Sequence, residues 1–172
     1  MGRFYNGDIE GKFWFGVQES NDADHFGVEG QILKNWLVCG CEVGSSCENY
    51  CDGCYDTYQE HLDDAIDEEI QIEDGKLFEE SNQLSYEFNL DHLSDVKKVV
   101  KQLESEYGHF ITSFEIEDDF TKGDSITYEV DIVEEIEKNK NEEMVFIARL
   151  CLGKQILYCI EKYKKCTFLA DL

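Results

Sequence analysis

The stretch VFIARLCLGKQILYCIEKY (residues 145–163), followed after two lysines by CTFLADL (residues 166–172), decides the fold class. Phe146, Ile147, Leu150, Cys151, Ile156, Leu157 and Ile160 recur at helical spacing, so the first segment predicts a helix with a broad apolar stripe. The second is too short for a helix and reads as a closing strand. Upstream, Arg3-Phe4-Tyr5 and Lys12 to Gln18 (KFWFGVQ) predict two strands. The latter is apolar on both faces, as a covered central strand is. Asn6-Gly7 between them is a favoured hairpin turn pair, although the spacing requires a longer loop or a bulge. Gln31 to Cys41 predicts another strand, and Tyr55 to Glu73 a helix, broken at Asp74-Gly75. Leu84 to Leu90 predicts a strand. Asp91 is placed to cap a helix through Val96, Val99, Val100 and Leu103 that ends near Tyr107-Gly108. Phe110 to Glu117 and Ile126 to Ile132 alternate loosely, as strands do. Strands and helices without a regular βαβ alternation predict one α+β domain over residues 1–172, mostly antiparallel sheet with two or three helices and a cysteine-rich loop.

The chain has 172 residues, 39 of them acidic and 15 basic, for a net charge of −24. Residues 1–41 carry −3, residues 42–143 carry −24, and residues 144–172 carry +3. The middle therefore holds the whole net charge. A surface of this sign repels nucleic-acid phosphates and anionic membranes, which argues against direct binding to either. It fits a basic protein partner, the competing explanation being an ordinary solvated surface. An aromatic content of 13% argues against global disorder. No apolar run approaches the length of a transmembrane helix. Residues 1–8 lack the basic-then-apolar plan of an export signal, so a cytoplasmic, non-secreted protein is expected.

Five of the eight cysteines fall within 16 residues: Cys39, Cys41, Cys47, Cys51 and Cys54. Cys51-Asp52-Gly53-Cys54 has the form of a zinc-knuckle half, and Cys39-Gly40-Cys41 supplies a second pair. The loop between the pairs is long enough to close a tetrahedron of thiolates around a structural zinc. Cys47, or His61 beyond the cluster, is the substitute ligand. Disulfides remain an alternative, but they need an oxidising compartment and an even number of partners. A redox pair is the other; the surrounding carboxylates would raise its thiol pKa values. Cys151, Cys159 and Cys166 read instead as small buried apolar residues.

Other chemistry is thinly supported. Asp118 to Glu129 has Asp, Gly and Glu where a calcium loop needs them, but Phe120 and Lys122 occupy positions that require oxygen ligands. No phosphate-binding glycine loop, G-x-S-x-G or H-E-x-x-H motif occurs. The four histidines are scattered, and nothing marks a catalytic residue. The aromatic N-terminal region is the second candidate site: Trp14 and Trp36 with Arg3, Lys12 and Arg149 would make an aromatic-walled pocket with a cationic rim for a small planar or anionic ligand. The competing explanation there is plain core packing.

The opening Gly2 to Gln18 (GRFYNGDIEGKFWFGVQ) and the closing Ala148 to Leu157 (ARLCLGKQIL) with Cys166 to Leu172 resemble a group of small uncharacterised proteins encoded by large DNA viruses and phages. The resemblance implies a source rather than a mechanism. It favours a host-directed or anti-defence role, exercised in the host cytoplasm or the virion. It also predicts that the two ends form a shared core with their strands side by side. Residues 39–143 would then be the acidic, cysteine-bearing elaboration. Three functions compete: a non-enzymatic interaction protein that engages a basic host protein, with nucleic-acid charge mimicry as one form; a small-ligand or nucleotide-binding protein or enzyme; and a minor structural virion component.

Overall fold

A computed structural model of the chain describes residues 4–12, 17–37, 71–73, 76–118, 125–134, 136 and 142–172. The fold is α+β, built, among the described residues, from antiparallel strands and two long helices. The chain divides into two units, residues 1–31 with 83–172, and residues 32–82.

The first unit begins with β1 (Phe4–Gly7) and β2 (Gly11–Lys12), paired antiparallel with Tyr5 opposite Gly11. Asn6-Gly7 therefore belongs to the strand, and the chain turns over residues 8–10. Gly7 serves a close approach instead: it has φ +135°, and a Cβ there would lie 2.6 Å from the carbonyl oxygen of Thr167. Val17 and Gln18, expected to continue a strand from Lys12, lie outside any strand, and residues 13–16 lie outside the described residues. After a short 3-10 turn (Asp22–Phe26), the chain re-enters this unit in the second half of β5 (Lys76–Asn89).

Asn89, not Asp91, is the residue that caps the next helical segment. Its Oδ1 accepts from the Asp91 amide at 2.9 Å, while its own amide donates to His92 Nδ1 at 3.1 Å. This reciprocal pair satisfies two otherwise orphaned donors and starts a 3-10 turn that runs into α1 (Leu93–Tyr107). Then come β6 (Ile111–Asp118), β7 (Ile126–Ile132), α2 (Glu142–Tyr163) and β8 (Lys165–Asp171). β8 pairs antiparallel with β1 on one side, Tyr5 opposite Ala170, and with β5 on the other, Tyr86 opposite Phe168. The first and last described strands are thus neighbours, as expected. β6 and β7 form their own two-stranded sheet.

α1 is amphipathic and buries Val96, Val100 and Leu103. α2 buries residues nearly all round, including Ile147, Leu150, Leu152, Ile156 and Ile160, which marks it as the central helix of the unit. Cys151, Cys159 and Cys166 are buried free thiols. Gly153 lets α2 approach its neighbours: a Cβ there would strike the Phe26 ring and lie 2.9 Å from Val100 Cγ2. Tyr86, Phe88 and Phe168 stack across β5 and β8, with ring centroids 5.2 Å apart for Tyr86 and Phe168. The elements from Gln83 through β7 belong in the same unit as the two ends, and residues 32–82 form the other unit. The reason is burial: Tyr86, Phe88, Val96 and Ile126 are fully buried within the first unit.

The second unit contains β3 (Gln31–Leu37) from Ile32 onward, β4 (Gln71–Glu73) and the first half of β5. Gln71–Glu73 is strand, where the end of a helix was expected. It pairs antiparallel with the start of β5, Glu73 opposite Lys76 and Gln71 opposite Phe78. The rest of the expected helix, residues 55–70, lies outside the described residues. Among the described residues no helix is long and apolar enough to cross a membrane.

Candidate functional site

Two polar groupings in the first unit are candidates. The first grows from Asn21-Asp22-Ala23-Asp24. Asp22 starts the 3-10 turn and is 2% exposed, so its charge needs a partner. Arg149 of α2 supplies it, with Nη2 donating to Asp22 Oδ1 at 2.7 Å and Nε to the same oxygen at 3.2 Å. The other carboxylate oxygen accepts from the Glu19 amide at 3.2 Å. The guanidinium also lies over the Phe146 ring, 5.7 Å from its centroid, and Phe146 stacks on Tyr107. Asp24 accepts from the Tyr86 hydroxyl at 2.7 Å and from the Gly30 amide at 3.0 Å. The Ser20 hydroxyl donates to the Asp171 carbonyl, and Gln18 donates to the Tyr5 hydroxyl at 3.4 Å.

The chemistry of this cluster is conservative. Burial, reinforced by the Asp22 charge, holds the Tyr5 hydroxyl protonated far above its ordinary range. Burial and its bond to Asp24 do the same for Tyr86. Neither phenol is available as a base, and the Asp22 carboxylate is neutralised in place. These bonds tie residues 18–30 to α2 and to the sheet. The grouping is a latch.

The second grouping is the outer face of the β6–β7 sheet. Alternate residues of a strand point to opposite faces. On one face Phe114, Ile116, Tyr128, Val130 and Ile132 are partly buried. Phe114, Tyr128, Val130 and Ile132 pack round Ile136, Ile147 and Cys151. On the other, Ser113, Glu115, Glu117, Glu129 and Asp131 are exposed. The register sets Glu115 directly opposite Glu129, and Ser113 opposite Asp131. Ser113 donates to Asp131 at 2.9 Å. Neither strand contains a lysine or arginine. Lys154 of α2 approaches the opposite face, over the Phe114 ring at 5.2 Å, and pairs with Glu104. Ser113, Glu115, Glu129, Val130 and Asp131 line a groove of about 430 Å³ on the acidic side. Like charges directly opposed across a ladder are unfavourable by up to about 1 kcal/mol.

Of the residues singled out in the sequence, Arg3, Trp14, Cys39, Cys41, Cys47, Cys51, Cys54 and His61 lie outside the described residues. Lys12 is in β2 and Trp36 in β3. Arg149 is described in full, and its cation is committed to Asp22. Asp22 itself carries no sequence signal for this role, because its partner lies 127 residues away. The acidic face was closer to legible: Glu115 and Glu117, and Glu129 and Asp131, alternate with apolar residues in the sequence. Among the described residues no group of three or more His, Cys, Asp or Glu side chains is arranged to hold a metal ion. No protein-family model matches the chain, and comparisons with the curated proteins and the solved structures found no match.

Proposed function

We propose that this chain is a non-enzymatic interaction protein that engages a basic protein surface, and that the outer face of β6 and β7 is part of what it presents. The observation that carries this reading is the unrelieved opposition of Glu115 and Glu129, flanked by Glu117 and Asp131, on two strands without a basic residue. A partner that brings lysines or arginines into this groove converts a local repulsion into charge-assisted hydrogen bonds. The carboxylate rows favour nucleic-acid charge mimicry as the form of recognition. The resemblance of the chain ends to viral proteins supports a host protein as the partner and an anti-defence role. The engagement of Arg149 by Asp22 counts against a small-ligand pocket that depends on that cation. The cysteine segment is part of the same proposal, as a zinc-organised loop built on Cys39, Cys41, Cys51 and Cys54. Metal analysis of the native protein should find one zinc per chain with four thiols protected; no metal and eight reactive thiols would remove it.

The interaction reading is tested with core histones as a basic probe. Binding to the immobilised protein should weaken at least about tenfold between low salt and about 0.3 M, because screening shortens the reach of exposed charges. Replacing Glu115, Glu117 and Glu129 by Gln and Asp131 by Asn should weaken it further than replacing the exposed Glu80, Glu87, Glu106 and Glu142 by Gln. Salt-insensitive binding, or equal loss in both variants, would overturn the assignment to this face.

A further inference from the structure

Two of the buried thiols lie at one corner of the fold. Cys159 is in the last turns of α2 and Cys166 is the second residue of β8. α2 ends at Tyr163, and Lys164 reverses the chain in a single left-handed residue with φ +73°, its amide donating to the Ile160 carbonyl at 2.9 Å. The reversal folds β8 back against the helix it has just left. The Cys159 thiol donates to the carbonyl of Lys165 at 3.2 Å, which sets it beside Cys166, the next residue along β8. Cys159 is 1% exposed and Cys166 fully buried. Cys151, on the same helix, sits in a different apolar cluster, with Ile136 and Ile147.

We propose that Cys159 and Cys166 are a latent disulfide, which closes under peroxide and locks the end of α2 to β8. One thiol gives up its proton and attacks a peroxide oxygen, leaving a sulfenic acid and, once the proton returns, one water. The second sulfur attacks the sulfenic sulfur and expels a second water. Two thiols and one hydrogen peroxide thus give one disulfide and two waters, with two electrons passing from sulfur to oxygen. Burial in an apolar setting holds the Cys166 thiol well above its ordinary pKa, aided by Cys159 and the nearby Asp8. The folded Cys166 thiol is therefore slow to ionise, and closure follows transient opening of the corner rather than direct attack. The lock joins the central helix to the central strand, so its effect reaches the whole of the first unit.

The test uses the full chain incubated with hydrogen peroxide, blocked with N-ethylmaleimide and digested with trypsin without reduction. Cleavage after Lys154, Lys162 and Lys165 puts Cys159 in Gln155–Lys162 and Cys166 in the peptide starting at Cys166. The two peptides should appear joined, at the sum of their masses less two hydrogens. Cys151 should be recovered alone and blocked. The oxidised protein should melt roughly 5 °C higher, as closing a short loop predicts for a chain of this size, and dithiothreitol should reverse the shift. Cys159→Ala and Cys166→Ala should each abolish it, so either variant that folds serves as the control. Recovery of both peptides singly blocked, over-oxidised, or joined to other cysteines would overturn the proposal.

Discussion

Replacing Arg149 by Met separates the charge of the buried pair from its bulk. Methionine keeps an apolar stem against Phe146 and removes the guanidinium. Asp22, at 2% exposure, then loses its cationic partner and is left with the Glu19 amide, at 3.2 Å, donating to it. Stranding a buried charge in this way costs about 3–5 kcal/mol, and loss of the cation over the Phe146 ring adds roughly 0.5–1 kcal/mol. For a chain of this size the melting temperature should fall by roughly 7–24 °C. Asp22→Asn should cost less, about 1–3 kcal/mol, because the amide oxygen still accepts from Arg149 and that cation, at 14% exposure, can recruit water. The double variant removes both charges, so it should be more stable than the sum of the two losses predicts, by at least about 1 kcal/mol. Urea unfolding followed by circular dichroism measures all three. A loss under about 1 kcal/mol for Arg149→Met, or strict additivity in the cycle, would refute the latch.

Gly153→Ala sets two effects against each other. Alanine favours the helix by about 1 kcal/mol, but its Cβ meets the fully buried Phe26 ring and Val100, and overpacking costs about 1–3 kcal/mol. Urea unfolding should show a net loss, which Phe26→Leu in the same background partly recovers. Alkaline pH should also destabilise the protein. Burial pushes the Cys151 thiol up to about 12 from 9.0, so between those values the unfolded chain releases a proton that the folded one keeps, and stability falls as pH rises. Cys151 alone contributes a slope of about 1.4 kcal/mol per pH unit there, fully absent below pH 9; unfolding free energies of Cys151→Ala should show a correspondingly shallower decline. Glu129→Gln should stabilise the β6–β7 sheet by a few tenths of a kcal/mol in low salt, with the advantage shrinking as salt is added. Unfolding midpoints at two ionic strengths check the sign.

Local signals carried most of the element reading. The periodicity of residues 145–163 marked α2 because a helix buried nearly all round still begins and ends in polar residues. The loose alternation of residues 110–117 and 126–132 marked two strands, but not the acidic face they share, which only the pairing register brings together. The errors arose where one motif serves two geometries. Asn6-Gly7 has turn chemistry, yet Gly7 is needed where β1 runs against Thr167 and Phe168, and packing between strands outweighed the turn preference. Gln71–Glu73 fitted the helical spacing upstream, but pairing with Lys76–Phe78 made it a strand. Asp91 and Asn89 are both capping residues, and only the position of His92 relative to Asn89 decides between them. The latch was out of reach for a different reason: nothing local to Asp22 or Arg149 names a partner so far along the chain.

β8 has a consequence for how the protein is made. One edge of β1, at Tyr5, Asn6 and Gly7, is paired by this strand, and seven residues of β5, from Gln83 to Asn89, wait for it too. A ribosome delivers β8 after both. Until it does, β1 and β5 each present an open edge with unpaired amides and carbonyls, able to accept a strand from another chain. The sheet is therefore completed only after β8 has followed β1 and β5, at the slow pace of contacts closed over nearly the full described length. Crowded nascent chains, rather than the finished protein, are where aggregation and the need for chaperones should concentrate.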